Sequence, residues 1–141
     1  MTRFLAFLGT VAVAAAGVAT STGSTTSDLH GRFFRTPSGN IACEVDEHAA
    51  VGPFKGQRTL FCVVFSASSE TRGQRTWLMR VTGRARATWV IGNIATEVPV
   101  LAYGRSWSFK GFRCRSRRTG LTCRNKSRHG FFLSGQAQRI F

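Results

Sequence analysis

Leu60-Phe61-Cys62-Val63-Val64-Phe65 is the stretch on which the fold turns. A short unbroken run of β-branched and aromatic residues suits a strand buried on both faces better than one with a wet side. This strand is expected at the centre of the core. Upstream, Arg32-Phe33-Phe34-Arg35 reads as a short aromatic strand and Thr36-Pro37-Ser38-Gly39-Asn40 as a turn. Proline presets one turn dihedral, and Gly and Asn tolerate positive φ. Asn40 to Asp46 then returns with Ile41, Cys43 and Val45 on one face and Ala42, Glu44 and Asp46 on the other, which completes a hairpin.

Downstream, Arg75 to Thr82 alternates, with Trp77, Met79 and Val81 inward and Thr76, Arg80 and Thr82 outward, and Leu78 interrupts the outer set. Ala87 to Ile91 and Glu97 to Tyr103 are weaker strand patterns. Trp107 and Phe109 share a face, but beyond Gly111 the apolar positions shift to Phe112 and Cys114, as a β-bulge would produce. Arg115-Ser116-Arg117-Arg118-Thr119-Gly120 reads as a hairpin loop, with Leu121 to Arg124 returning. The chain closes with Phe131-Phe132-Leu133 and Ile140-Phe141. Outside the amino-terminal segment there is no helical periodicity, and there is no internal repeat. The expected fold is all-β, a small disulfide-linked sandwich or barrel.

At 141 residues the chain has room for one domain. With 43% hydrophobic residues, 12 Phe and 3 Trp, it is far too apolar to remain disordered. Met1-Thr2-Arg3 precedes an apolar run from Phe4 to Ala19, the layout of a secretory signal peptide with a cut after Gly17-Val18-Ala19. The run is short of the roughly 20 strongly apolar residues a membrane span requires. The expected organisation is a signal peptide at 1–19, a flexible Ser/Thr-rich leader at 20–31, and a single β-rich domain at 32–141. The expected destination is outside the cell, with envelope association possible. No cysteine lies near the cut, so a lipid anchor is not supported.

Export bears on Cys43, Cys62, Cys114 and Cys123, an even set bound for an oxidising compartment. Of three possible pairings, Cys43 with Cys62 and Cys114 with Cys123 is favoured, because each closes a short loop that strand pairing already brings together. Spacings of C-x18-C and C-x8-C do not suit zinc. By loop-closure entropy each bridge contributes about 2.5 to 3 kcal/mol.

The whole chain holds 20 Lys+Arg against 6 Asp+Glu, a net charge of +14. Residues 1–70 are balanced, five basic against five acidic, and residues 71–141 set fifteen basic residues against Glu97 alone. Such a field favours anionic partners.

Two stretches carry a resemblance. Phe34-Arg35-Thr36-Pro37-Ser38-Gly39-Asn40-Ile41-Ala42-Cys43, and Cys114-x-Ser116 through Gly120-Leu121-Thr122-Cys123-Arg124-Asn125 to His129-Gly130-Phe131-Phe132-Leu133-Ser134, resemble a family of small secreted bacterial domains of unknown function, common in actinobacteria. The resemblance covers about a quarter of the chain. It implies an exported bacterial protein whose cysteines form disulfides, and supplies no activity, substrate or catalytic residue.

Functionally, the basic run holds Arg105, Lys110, Arg113, Arg115, Arg117, Arg118, Arg124, Lys126 and Arg128 without an acid, interleaved with Trp107, Phe109 and Phe112. Guanidinium forks suit phosphate and carboxylate oxygens, and aromatics could stack on bases or sugars. The expected function is non-catalytic binding of an anionic partner: envelope polymer, acidic lipid or nucleic acid. The alternative is a structural or interaction protein whose basic face aids solubility, since arginine supplies 17 of the 20 basic residues. A small basic nuclease would need Glu44 as base and His129 as acid, with nothing in the sequence to join them. His30 and His48 read as exposed bystanders. Ser38-Gly39-Asn40 is turn chemistry, and Asn125-Lys126-Ser127 is a glycosylation acceptor only in a eukaryotic secretory route. No phosphate-cradling loop, nucleophile elbow or zinc motif is present, and no cofactor is expected.

Overall fold

The computed structural model describes residues 28–141. The signal peptide and most of the leader expected from the sequence lie outside the described residues. Two sheets pack face to face. The first has strands β2 (Phe33–Arg35), β3 (Ile41–Asp46), β4 (Thr59–Val64), β5 (Gln74–Arg80) and β6 (Arg86–Val90), adjacent in chain order. The second is a like meander of β7 (Ser106–Phe109), β8 (Phe112–Arg117), β9 (Gly120–Arg124), β10 (Gly130–Leu133) and β11 (Gln138–Ile140), with β1 (Leu29–His30) added parallel to β7. The fold is therefore all-β with two sheets, and the sandwich alternative is the one realised.

The Leu60–Phe65 run forms most of β4, the middle strand of its sheet, as its composition requires. Leu60, Cys62 and Val64 enter the common core, and Val63 on the opposite face is 2% exposed. That outer face is sheltered because loop 47–58 folds back with Ala49 and Phe54 buried, the Arg80 guanidinium lying 5.0 Å above the Phe54 ring. The same shelter accounts for Leu78, which breaks the alternation of β5 yet is fully buried. Between the sheets Phe34 and Trp107 meet at 4.7 Å. Cys43 bridges Cys62 and Cys114 bridges Cys123, one disulfide per sheet, each joining directly opposed residues of neighbouring strands. The favoured pairing is the one observed.

Four expectations need correcting. The domain does not wait until residue 32: Leu29 and His30 pair with Trp107 and Ser108, and the Trp107 indole N–H donates to the Gly31 carbonyl at 2.8 Å. The shift at Gly111 is a chain reversal and not a bulge. Phe109 faces Phe112 across a two-residue turn with positive φ at both Lys110 (43°) and Gly111 (99°), the requirement of a type I′ hairpin. Pairing Trp107 with Cys114 then puts Trp107, Phe109, Phe112 and Cys114 on one face. A Cβ at Gly111 would also sit 2.9 Å from Val81 Cγ1, so that turn excludes side chains on two counts. The loop expected at Arg115–Gly120 shrinks to Arg118-Thr119, because Ser116 continues the inward set of β8. Finally, Glu97–Tyr103 forms no strand. Val100 alone bridges Arg35, held by Arg35 N–H to the Pro99 carbonyl (2.9 Å) and Leu101 N–H to the Arg35 carbonyl (2.8 Å). Pro99 has no N–H with which to extend a ladder.

Asn125 ties the sheets together at one end. It is 7% exposed, and its side-chain amide donates to the carbonyls of Arg80 (3.0 Å) and Gly83 (2.7 Å) while its oxygen accepts from Ser127 N–H (3.0 Å). Lys126 N–H donates to the Val81 carbonyl and Gly83 N–H to the Ser127 hydroxyl. The Asn-Lys-Ser triplet is thus a structural clamp on the β5–β6 turn.

Candidate anion-binding face

The outer face of the six-stranded sheet follows from the alternation of β8. Phe112, Cys114 and Ser116 are buried beneath it, and Arg113, Arg115 and Arg117 stand exposed above it, spaced by about 6.6 Å along the strand. The strand registers extend two rows across the sheet. One runs Ser108, Arg113, Arg124 and Gly130; the other runs Ser106, Arg115, Thr122, Phe132 and Arg139. Five arginines therefore share one face, and none of the six strands carries an Asp or Glu. Arg113 and Arg124 are directly opposed on neighbouring strands. Like charges in that position repel and destabilise the pair.

The floor of this face is shaped by glycine. Gly120 has φ +149°, and a Cβ there would lie 2.6 Å from both the Leu133 carbonyl oxygen and the Phe132 ring, which spreads over the vacant position. Arg139 in turn lies over Phe132, 5.1 Å from its centroid. Two depressions line the face: one of about 490 Å³ along Arg113, Arg115, Arg117, Arg124 and Arg139, and one of about 570 Å³ around Lys110, Arg113, Arg124 and Lys126.

Of the nine basic residues singled out in the sequence, the fold brings Arg113, Arg115, Arg117 and Arg124 together, with Lys110 and Lys126 at their border. Arg105, Arg118 and Arg128 diverge, and Lys110 is also engaged by an acid. Lys110 is paired with Glu47 at 2.7 Å, and Glu47 also takes Arg58 at 2.6 Å. The hydrogen bond from Lys110, then that from Arg58, lowers the Glu47 carboxyl to about 2. Arg118 stacks 5.0 Å over Tyr103 at the end of the sandwich, Arg128 occupies the β9–β10 turn with φ 65°, and Arg105 is half-buried beside Ser116. Arg139 and Phe132 were not anticipated as part of the face. The alternation in Gln138-Arg139-Ile140 hints at an outward arginine, but which row it joins depends on register with β10.

The aromatics expected to stack on a ligand do not reach one. Trp107 is fully buried, Phe112 is 2% exposed and Phe109 packs against the core. Those that do border the face carry a cation each: Arg139 on Phe132, Arg118 on Tyr103 and Arg124 on Phe141 at 4.4 Å. Their rings orient guanidinium groups.

Glu44 and His129 are not brought together. Glu44 faces outward on β3 of the five-stranded sheet, and His129 sits between β9 and β10 of the other, its carbonyl accepting from Asn125 N–H. Burial raises the Glu44 carboxyl, an effect that Arg32 opposes and Asp46 reinforces. His30 lies beside Ser108, its Nδ1 within 3.1 Å of the Ser108 hydroxyl. Among the described residues, no three His, Cys, Asp or Glu side chains cluster so as to hold a metal ion.

Fold and face together define a two-sheet β protein with a disulfide in each sheet and one arginine-lined outer surface. Residues 91–141, which span β7 to β11 and all five arginines of that surface, match the model of a family of unknown function, DUF6636. No curated protein and no solved structure matches the chain.

Proposed function

We propose that this is an exported protein that binds an anionic polymer of the cell envelope or its surroundings, without catalysis, through the outer face of its six-stranded sheet. The opposition of Arg113 and Arg124 carries the reading. Two arginines at directly opposed positions, with no carboxylate on any strand of the sheet, repel one another, and a bound anion would offset that repulsion. Three arginines at every second position of β8 extend that site into a row, which suits a chain with repeating charges better than a single small anion. Two disulfides in a chain with an amino-terminal export pattern support an oxidising destination.

The test is association of the mature protein with isolated envelope fractions at increasing salt. Retention should fall steeply with salt, and Arg113→Ser/Arg115→Ser/Arg117→Ser should weaken it and flatten its salt dependence. Undiminished retention by that variant would return the basic face to a solubilising role.

A further inference from the structure

At the end of the sandwich the Thr36–Asn40 turn, the β8–β9 turn and the β10–β11 turn enclose a recess of about 240 Å³. Arg117 and Thr119 line both this recess and the arginine groove, so the two adjoin. The chemistry changes at the junction. Along β8 the groove presents charge, whereas the recess presents Thr119, Gln136 and the half-exposed Tyr103, with Arg117 and Arg118 at its mouth and no acid. The Thr36 hydroxyl is already committed to Ile41 and that of Ser134 to Ala137. The side chains of Thr119, Gln136 and Tyr103 make no hydrogen bond among the described residues, and so their donors and acceptors face the recess or solvent.

We infer that the recess takes a hydroxyl-bearing unit, sugar or polyol, of the bound polymer while Arg117 holds the adjoining phosphate. The inference rests on the anion-binding reading above and narrows its ligand to a polyol-phosphate chain. Nucleic acid fits less well. Single strands bind by stacking successive bases on free aromatic faces. Here Phe132, Tyr103 and Phe141 each already carry an arginine, and Trp107 and Phe112 are buried. What remains open at the end of the track is hydrogen-bonding capacity, which a polyol satisfies and a bare phosphate chain leaves unused.

The experiment compares binding of the mature chain to poly(glycerol phosphate), to inorganic polyphosphate of equal charge and to oligo(dT), at one salt concentration and then across a salt series. Poly(glycerol phosphate) should bind about tenfold tighter than polyphosphate, the worth of one to two neutral hydrogen bonds. Gln136→Ala/Tyr103→Phe, both at exposed positions that line the recess and not the arginine groove, should erase that preference and leave polyphosphate affinity and its salt slope unchanged. Equal wild-type affinity for poly(glycerol phosphate) and polyphosphate, or tightest binding to oligo(dT), overturns the inference while leaving the basic face intact. Absence of salt-dependent binding to any of the three overturns the anion-binding reading itself.

Discussion

Removing three charges from β8 should flatten the salt dependence of polyanion binding, by an amount the face itself dictates. Five arginines, Arg113, Arg115, Arg117, Arg124 and Arg139, share the outer surface of the six-stranded sheet. For a single-stranded polyanion the logarithmic slope is about −0.7 per neutralised phosphate, so five contacts give about −3.5. A rise from about 50 to about 200 mM salt then costs roughly a hundredfold in affinity. With Arg113→Ser/Arg115→Ser/Arg117→Ser two contacts remain, the slope falls to about −1.4, and the same rise costs only about sevenfold. Arg72→Ser/Arg84→Ser/Arg86→Ser removes equal charge at β6 and the loops beside it, and should keep the steep slope. Fluorescence anisotropy with a labelled polyanion measures both. Equal flattening in the two variants would mean that net charge alone governs binding, and the localised face would have to be abandoned.

Other outcomes concern the scaffold. Asn125→Ala strands the carbonyls of Arg80 and Gly83 and should cost about 2 kcal/mol, read from urea midpoints. Glu47 is lowered from 4.5 to about 2, so its pairing with Lys110 and Arg58 stabilises the fold fully above about 4.5 and is lost as pH falls through about 2. Glu47→Gln should therefore lower stability at neutral pH and converge with wild type near pH 2 in acid melts. Glu44 behaves oppositely. Its carboxyl is raised by burial, so the ionised form opposes folding, and Glu44→Gln should stabilise at neutral pH with no gain in acid. Reduction of both disulfides, worth about 5 to 6 kcal/mol together by loop-closure entropy, should unfold the domain at moderate temperature, as circular dichroism would report.

Much of the fold was legible because strands write their burial into alternation. Ile41, Cys43 and Val45 named their face correctly, and the continuous run at Leu60 placed the central strand. Errors arose where one local signal has two geometric solutions. A one-residue shift of apolar positions beside glycine describes a bulge or a two-residue reversal equally well, and only the pairing of Phe109 with Phe112 separates them. Charge hid the end of β8 in a similar way. Arg115 to Arg118 looks like solvated loop until Ser116 is seen buried between outward arginines.

By itself, the sequence determined the class of fold and the basic character of the second half and favoured the disulfide partners that strand register then fixed, since each depends first on side-chain type and short-range spacing. Only the tertiary structure decided which cations act together. Arg139 lies two strands from Arg124 and fifteen residues further along the chain, yet joins its face, while Lys110, inside the basic run, is drawn off to Glu47 across the sandwich. Register between strands and contacts between sheets set those neighbours, and neither is a property of any local stretch of chain.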